Sequence, residues 1–381
     1  MTKTNVPRLR FKNFNEEWQD EKAKNIFINK SIKNHGKDKI LASTQDNGIM
    51  YRKDLDKDIK FDNSTLNNYK YVIPGNVVIS LRSFQGGFEI SDKEGIISPA
   101  YTIMSFKNDD NNTDYWKQYL KTYKFIQSLK KVTFGIRDGR SISFKEFSTL
   151  KLKFTENKNE QQKIGSFFSK IDKLIELQTQ NLEQLKKLKR GYLQKMFPQD
   201  GESIPRWRFS GFSGEWEKQG LINLAKLRTG SRNAEDGVDD GKFVFFDRSS
   251  EMKFLNEYDF DGEVIVYAGE GAKFLPRKFD GKYSLHQRAY GIYDFKNINF
   301  DFLYQELLNK NNHFLKYAVG TTAKSLRKDC FQKLIIKYPG VDEQRRIGFF
   351  LSKLDQIINN QFDKIDKLKQ QKKAYLQKMF I

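Results

Sequence analysis

Residues 160–197 read EQQKIGSFFSKIDKLIELQTQNLEQLKKLKRGYLQKMF, and residues 343–380 read EQRRIGFFLSKLDQIINNQFDKIDKLKQQKKAYLQKMF. The two align without a gap at an offset of 183, with 19 of 38 positions identical, including the closing Tyr-Leu-Gln-Lys-Met-Phe. A repeat of this kind means that one architectural unit occurs twice in the chain. Each copy predicts a long helix. Ile164, Ile171, Leu185 and Tyr192 fall on a seven-residue spacing, and Phe167, Leu174 and Leu188 supply the second position of a heptad seam. Glu and Gln open each segment and Lys or Arg crowds its last turns, which suits the helix dipole. Pro198 stops the first helix. Gln178 and Asn181 interrupt the first seam, and Gln361 and Lys364 the second. Buried there, Gln178 and Gln361 would fix register; a drifting apolar stripe would instead turn them to water.

A second repeat precedes each intervening stretch: VPRLRFKNFNEEW at 6–18 and IPRWRFSGFSGEW at 204–216. The chain is therefore expected to divide into a first domain at 1–159, a helix at 160–197, a linker at 198–203, a second domain at 204–342 and a second helix at 343–381. Inside the domains, β-rich runs at 77–81, 100–106, 263–267 and 289–295 are broken by Gly, Asn and Asp. One amphipathic helix is expected late in each, near 114–129 and 299–316. The fold class is α+β: two α/β domains alternating with two long helices. Two like halves favour a pseudo-two-fold arrangement, which makes the helix pair an antiparallel coiled coil. With about 33 helical residues in each, the helices are then roughly 50 Å long at about 1.5 Å per residue. The repeated aromatics Phe11, Trp18, Phe209 and Trp216 are expected in the cores.

The formal charge is +20, from 68 Lys+Arg against 48 Asp+Glu. Residues 1–198 hold 37 basic and 23 acidic side chains and the remainder 31 and 25, so both halves are basic. That balance suits a polyanion such as nucleic acid. Cys330 is the only cysteine, which excludes an internal disulfide, and His35, His286 and His313 are too scattered to suggest a zinc site. The chain opens without an apolar leader and holds no run of 18 apolar residues, so a soluble cytoplasmic protein without membrane contact is expected.

The sequence carries no recognisable catalytic motif. The seven prolines are never adjacent, so the Asn/Asp-Pro-Pro-aromatic grip of an adenine methyltransferase is missing. There is no G-x-x-x-x-G-K-[ST] phosphate loop. Glu156-Asn-Lys158 has only the ending of a nuclease motif. No catalytic residue, metal ligand or cofactor is assigned to this chain. Candidate contacts to double-stranded DNA are polar side chains in Gly/Ser/Asn-rich loops, where groove edges and phosphates can be reached. In the first domain these are Gln45, Asn47, Arg82, Arg137 and Arg140; in the second, Arg228, Arg232, Lys324 and Arg327.

Paired E-Q-x-x-I-G…Y-L-Q-K-M-F helices, each after a variable domain entered through P-x-x-R-F…W, resemble the specificity subunits of type I restriction–modification enzymes. The resemblance covers nearly the whole chain. It implies two target-recognition domains reading the two parts of an asymmetric, interrupted DNA site. It implies helices that set the gap and bind two methylation subunits, with restriction subunits joining outside. S-adenosylmethionine would belong to the methylation subunits, and ATP and Mg²⁺ to the restriction subunits. Phe167, Ile171, Leu185, Tyr192, Phe350, Leu354, Leu368 and Tyr375 then serve either the helix pair or the methylation-subunit surface. Two rivals remain: a stand-alone nuclease or methyltransferase, and an adaptor whose charge only keeps it soluble.

Overall fold

The computed structural model describes residues 5–35, 39–44, 48–55, 63–80, 87–108, 110–132, 142–248, 252–321 and 323–381. The chain falls into two compact units, residues 1–179 with 364–381, and residues 180–363. Each unit thus holds one globular lobe, the opening of one long helix and the closing of the other. The long helices run Lys158–Met196 and Val341–Met379, 39 residues each.

In the first unit a four-stranded antiparallel sheet runs in the order Phe27–Lys30, Thr102–Phe106, Val77–Ile79, Phe88–Ile90. The run Val77-Val78-Ile79 is continuously apolar because both faces of the sheet are covered. Val77 and Ile79 face the helices, among Trp116, Phe125 and Phe147. Val78 faces the other way, into a small cluster with Leu41, Ile49, Val72, Ile97 and Ile103. The second unit repeats this plan with Lys226–Thr229, Ala289–Tyr293, Val264–Ala268 and Arg277–Phe279. Ile265 and Tyr267 enter the helix-side core, while Val264 and Val266 enter the opposite cluster with Phe246, Tyr283 and Leu285. Each lobe is closed where its entry strand pairs with its exit strand: Gln19–Lys22 with Lys151–Phe154, and Glu217–Gly220 with Ile335–Tyr338.

The single late helix expected in each lobe is two short ones, Thr113–Tyr119 and Tyr123–Leu129, then Phe300–Leu308 and Asn311–Tyr317. In the first lobe the break sits at Thr122, whose hydroxyl accepts from the Phe125 amide at 3.3 Å and starts a new helix.

Within each unit the two helix segments run antiparallel. In the first, the Phe167 ring lies 5.2 Å from Tyr375 and Asp172 pairs with Lys372 at 2.6 Å. In the second, Tyr192 lies 5.0 Å from Phe350 and Lys189 pairs with Asp355 at 2.5 Å. The seam differs from the expected one at its second position. Leu174 and Leu188 are 40% and 48% exposed, and the inward positions are Phe168, Ile175, Leu182 and Lys189. A charged residue holds a seam place because an aspartate on the facing helix meets it, so an apolar-only pattern misjudges the register. Gln178 and Gln361 are both half-buried on the seam.

Among the described residues no helix is long and apolar enough to cross a membrane, and no group of three His, Cys, Asp or Glu could hold a metal ion. Cys330 is free and buried.

Candidate nucleic-acid interface

The repeated E-Q-x-x-I-G motif joins each lobe to its helix. The Gln161 Nε2 donates to the Thr155 carbonyl at 2.7 Å, and its Oε1 accepts the Asn112 amide at 3.1 Å. Gln344 does the same with Pro339 at 2.8 Å and Asn299 at 2.7 Å. Asn112 and Asn299 in turn cap the lobe helices, accepting from Tyr115 and Phe302. The helix ends press on the glycine of the motif. A Cβ at Gly165 would lie 2.6 Å from Asn112 Oδ1 and 2.9 Å from the Tyr115 amide; at Gly348 the figures for Asn299 and Phe302 are both 2.8 Å.

About two turns further on, Asp172 accepts from Gln118 at 2.9 Å and from Lys372. Asp355 likewise accepts from Gln305 at 2.7 Å and from Lys189. Each aspartate therefore ties a lobe to both helices of its unit. The closing phenylalanines complete the junction: Phe380 lies 6.0 Å from Trp18 and 5.4 Å from Tyr115, and Phe197 lies 5.9 Å from Trp216 and 5.3 Å from Phe302. Trp18 and Trp216 are core residues, 2% and 3% exposed, while Phe11 and Phe209 pack at the margins of the two cores.

What such a rigid junction presents is set by the loops. Gln45, Asn47, Arg82, Arg137 and Arg140 lie outside the described residues. In the second lobe the four candidates are placed. Arg228 lies in a strand, its guanidinium carbon 3.1 Å from the Tyr293 ring centre and 4.5 Å from that of Phe260, with Nε buried and unbonded. Arg232 forks onto Asp259, with its shortest bond at 2.7 Å, and this bond holds the Asp259 carboxyl below its ordinary range. Lys324 donates to the Leu315 carbonyl at 2.6 Å, and Arg327 is exposed at the start of a short helix.

Backbone contacts connect these loops. The Gln287 amide donates to the Arg232 carbonyl at 3.0 Å, and the Leu326 amide to the Gly269 carbonyl at 2.8 Å. Between them, Arg288 Nη1 donates to Glu270 at 2.6 Å, and Arg248 lies 3.8 Å from the same carboxylate. Three of the four candidates thus border one chain of contacts; Arg228 lies beneath, packed on aromatic rings. Sequence reasoning missed Arg248, Gln287 and Arg288. The signal that marks the last two is Gln287-Arg288 standing between the apolar alternations of two strands.

The helix-pair candidates are also placed. Phe167 and Tyr375 are in contact, Ile171 packs on the first core, Tyr192 and Phe350 are in contact, and Leu354 is 9% exposed. Leu185 and Leu368 are half-buried.

Residues 214–370 match the family described as type I restriction modification DNA specificity domain. A 144-residue stretch, 38% of this chain, is 29% identical to the EcoDI specificity subunit of a type I restriction enzyme from Escherichia coli and spans 31% of that protein. Over 344 residues, 82% of this chain and 80% of the relative, identity is 24% to the MjaVIII specificity subunit of Methanocaldococcus jannaschii. In fold, the chain is similar over 99% of its length to 99% of the S subunit of a type I system from M. genitalium, at a TM-score of 0.68 and 17% identity. A chain from a structure on complex assembly and conformational transition of the type I system matches at 0.54 and 12%, over 95% of this chain and 97% of its own. The family match thus lies in the second half of the chain, that half's motifs and sheet are repeated in the first, and the chain as a whole is similar to specificity subunits of type I restriction–modification systems.

Proposed function

We propose that the chain reads an asymmetric, interrupted DNA site, one half-site through each lobe, and directs methylation and restriction subunits to it in the cytoplasm. What carries this reading is the contrast between a junction whose contacts recur in both halves and loops whose sequences differ. Two readers on like mounts suit one site made of two unlike halves. Half-sites one duplex turn apart lie about 34–36 Å centre to centre, and a 39-residue helix is about 58 Å long at about 1.5 Å per residue. The helices are therefore long enough to act as the spacer.

Two methylation subunits bind the helices, and restriction subunits join outside. Leu174, Leu177 and Leu188 on the first helix and Phe349, Ile357 and Phe362 on the second are exposed large apolar side chains, which support a protein partner there. S-adenosylmethionine chemistry on adenine belongs to the methylation subunits, and ATP and Mg²⁺ to the restriction subunits. The charge of +20 supplies salt-sensitive phosphate affinity, and the loops supply the sequence.

The test is a genome-wide map of methylated adenines in cells carrying the methylation subunit with and without this chain. An interrupted asymmetric motif present only with the chain supports the reading; methylation indifferent to the chain refutes it.

A further inference from the structure

In the second lobe, residues Tyr283 to His286 and Ala289 are buried, yet Gln287 and Arg288 between them are exposed. They form the tip of a tight turn. The Ala289 amide donates to the His286 carbonyl at 2.9 Å, and the Arg288 amide donates to His286 Nδ1 at 2.9 Å. The tip is held from three further sides. The Gln287 amide is bonded to the Arg232 carbonyl, and the Gln287 Nε2 donates to Asn233 Oδ1 at 2.9 Å. Arg288 is steadied by Glu270. Gly269 lets the neighbouring loop come close: a Cβ there would lie 1.7 Å from the Arg288 carbonyl oxygen.

The first lobe has the same turn. Strand register sets the equivalence, since Val77 faces Met104 where Ile265 faces Ile292, an offset of 188 on both strands. His286 to Ala289 then correspond to Ser98 to Tyr101. The Tyr101 amide donates to the Ser98 carbonyl at 3.1 Å, and the Ala100 amide reaches Ser98 Oγ at 3.4 Å. Even the side-chain bond to the third residue is reproduced, although a serine replaces the histidine. The backbone turn is shared, while its exposed tip is Pro99-Ala100 in one lobe and Gln287-Arg288 in the other.

A shared scaffold with a divergent polar tip is what two readers of unlike half-sites require. We infer that Gln287 and Arg288 are base-reading residues of the second lobe, with Arg288 directed at the guanine O6/N7 edge and Gln287 at the adenine N6/N7 edge in the major groove. Both side chains can make paired bonds to those edges, and a turn fastened on several sides loses little freedom when they do. His286, Asn233 and Glu270 act as positioning residues. The corresponding tip of the first lobe, proline and alanine, offers only apolar contact, such as with a thymine methyl.

This inference rests on the proposed reading of DNA, and the experiment separates the two. The full chain, with its methylation subunits, is expressed as the natural sequence, as Arg288→Ala and as Gln287→Ala, and the methylated motif is mapped for each. Because both side chains are exposed, unchanged melting temperatures confirm that the variants fold. Each variant is expected to lose about 5- to 150-fold discrimination at one base pair of one half-site, leaving the other half-site intact. A natural chain that yields an interrupted motif, with both variants keeping every base of it, overturns the inference alone. A natural chain that yields no sequence-specific methylation or DNA binding overturns the underlying reading, and the inference with it.

Discussion

Arg10 forks onto Glu160, with Nε at 2.6 Å and Nη2 at 2.8 Å from its two oxygens, and a third nitrogen donates to the Glu16 carbonyl. Arg208 repeats every one of these bonds with Glu343, at 2.7 Å twice, and with the Gly214 carbonyl. The glutamates are fully buried and the arginines nearly so. Arg10 belongs to an entry marker and Glu160 to a helix opening, 150 residues apart. This pair therefore explains why both repeats carry these two residue types.

Removing one partner of such a pair strands a buried charge. Arg10→Ala and Arg208→Ala are each expected to cost about 3–5 kcal/mol of unfolding free energy. Urea titration of the single variants measures it. A loss below about 1 kcal/mol would show that the fork does not hold the lobe to its helix.

Two glycines on one helix should respond to alanine with opposite sign. Gly165 faces the Asn112 cap, so an added methyl collides with a backbone amide; Gly165→Ala should destabilise by about 1–3 kcal/mol despite better helix propensity. Gly191 has nothing within 4 Å of its virtual Cβ, and the second repeat already carries Ala374 there. Gly191→Ala should stabilise by up to about 1 kcal/mol. Thermal melts of the two variants side by side decide the matter; a shared direction would contradict the packing described.

Burial lowers the His286 pKa from its ordinary 6.5, with Asp247 and Glu270 opposing this and Arg248 and Arg288 reinforcing it. In the window from 6.5 down to the folded-state value, the unfolded chain binds more protons, so stability falls as pH falls. Protonation at Nδ1 would also remove the acceptor of the Arg288 amide. The second unit should lose stability as pH falls below 6.5. His286→Asn, which keeps an acceptor but does not titrate, should reduce that dependence. Melting temperature against pH is the measurement, and an identical slope in the variant would count against it.

The helices and their closing motifs were legible because local periodicity and repetition record them. The strands at 77–79, 102–106, 264–268 and 289–293 overlap the predicted runs, and those at 77–79 and 264–268 are continuously apolar because both of their faces are buried. The second seam position was not legible. It includes Lys189 and Lys372, whose presence makes sense only beside Asp355 and Asp172 on a distant segment. The reading tip escaped for a similar reason. Gln287 and Arg288 look like ordinary loop residues until Glu270, Asn233 and Arg232 are brought around them.

Lengthening both helices by seven residues, inserted at the same seam position, adds about 10 Å of rise. The methylated motif should keep both half-sites while the gap between them grows by up to about 3 base pairs at ~3.4 Å each. Sequencing methylated sites checks this, and an unchanged gap would remove the helices from the role of spacer.

The most direct test of two unlike readers on one repeated mount is to replace residues 6–157 with residues 204–340, so that both mounts carry the second lobe. The methylated-adenine map of cells expressing this chain with its methylation subunits should lose the first half-site and contain the second one twice. Persistence of the original asymmetric motif would contradict the account, because the lobe that was exchanged would then not be reading DNA.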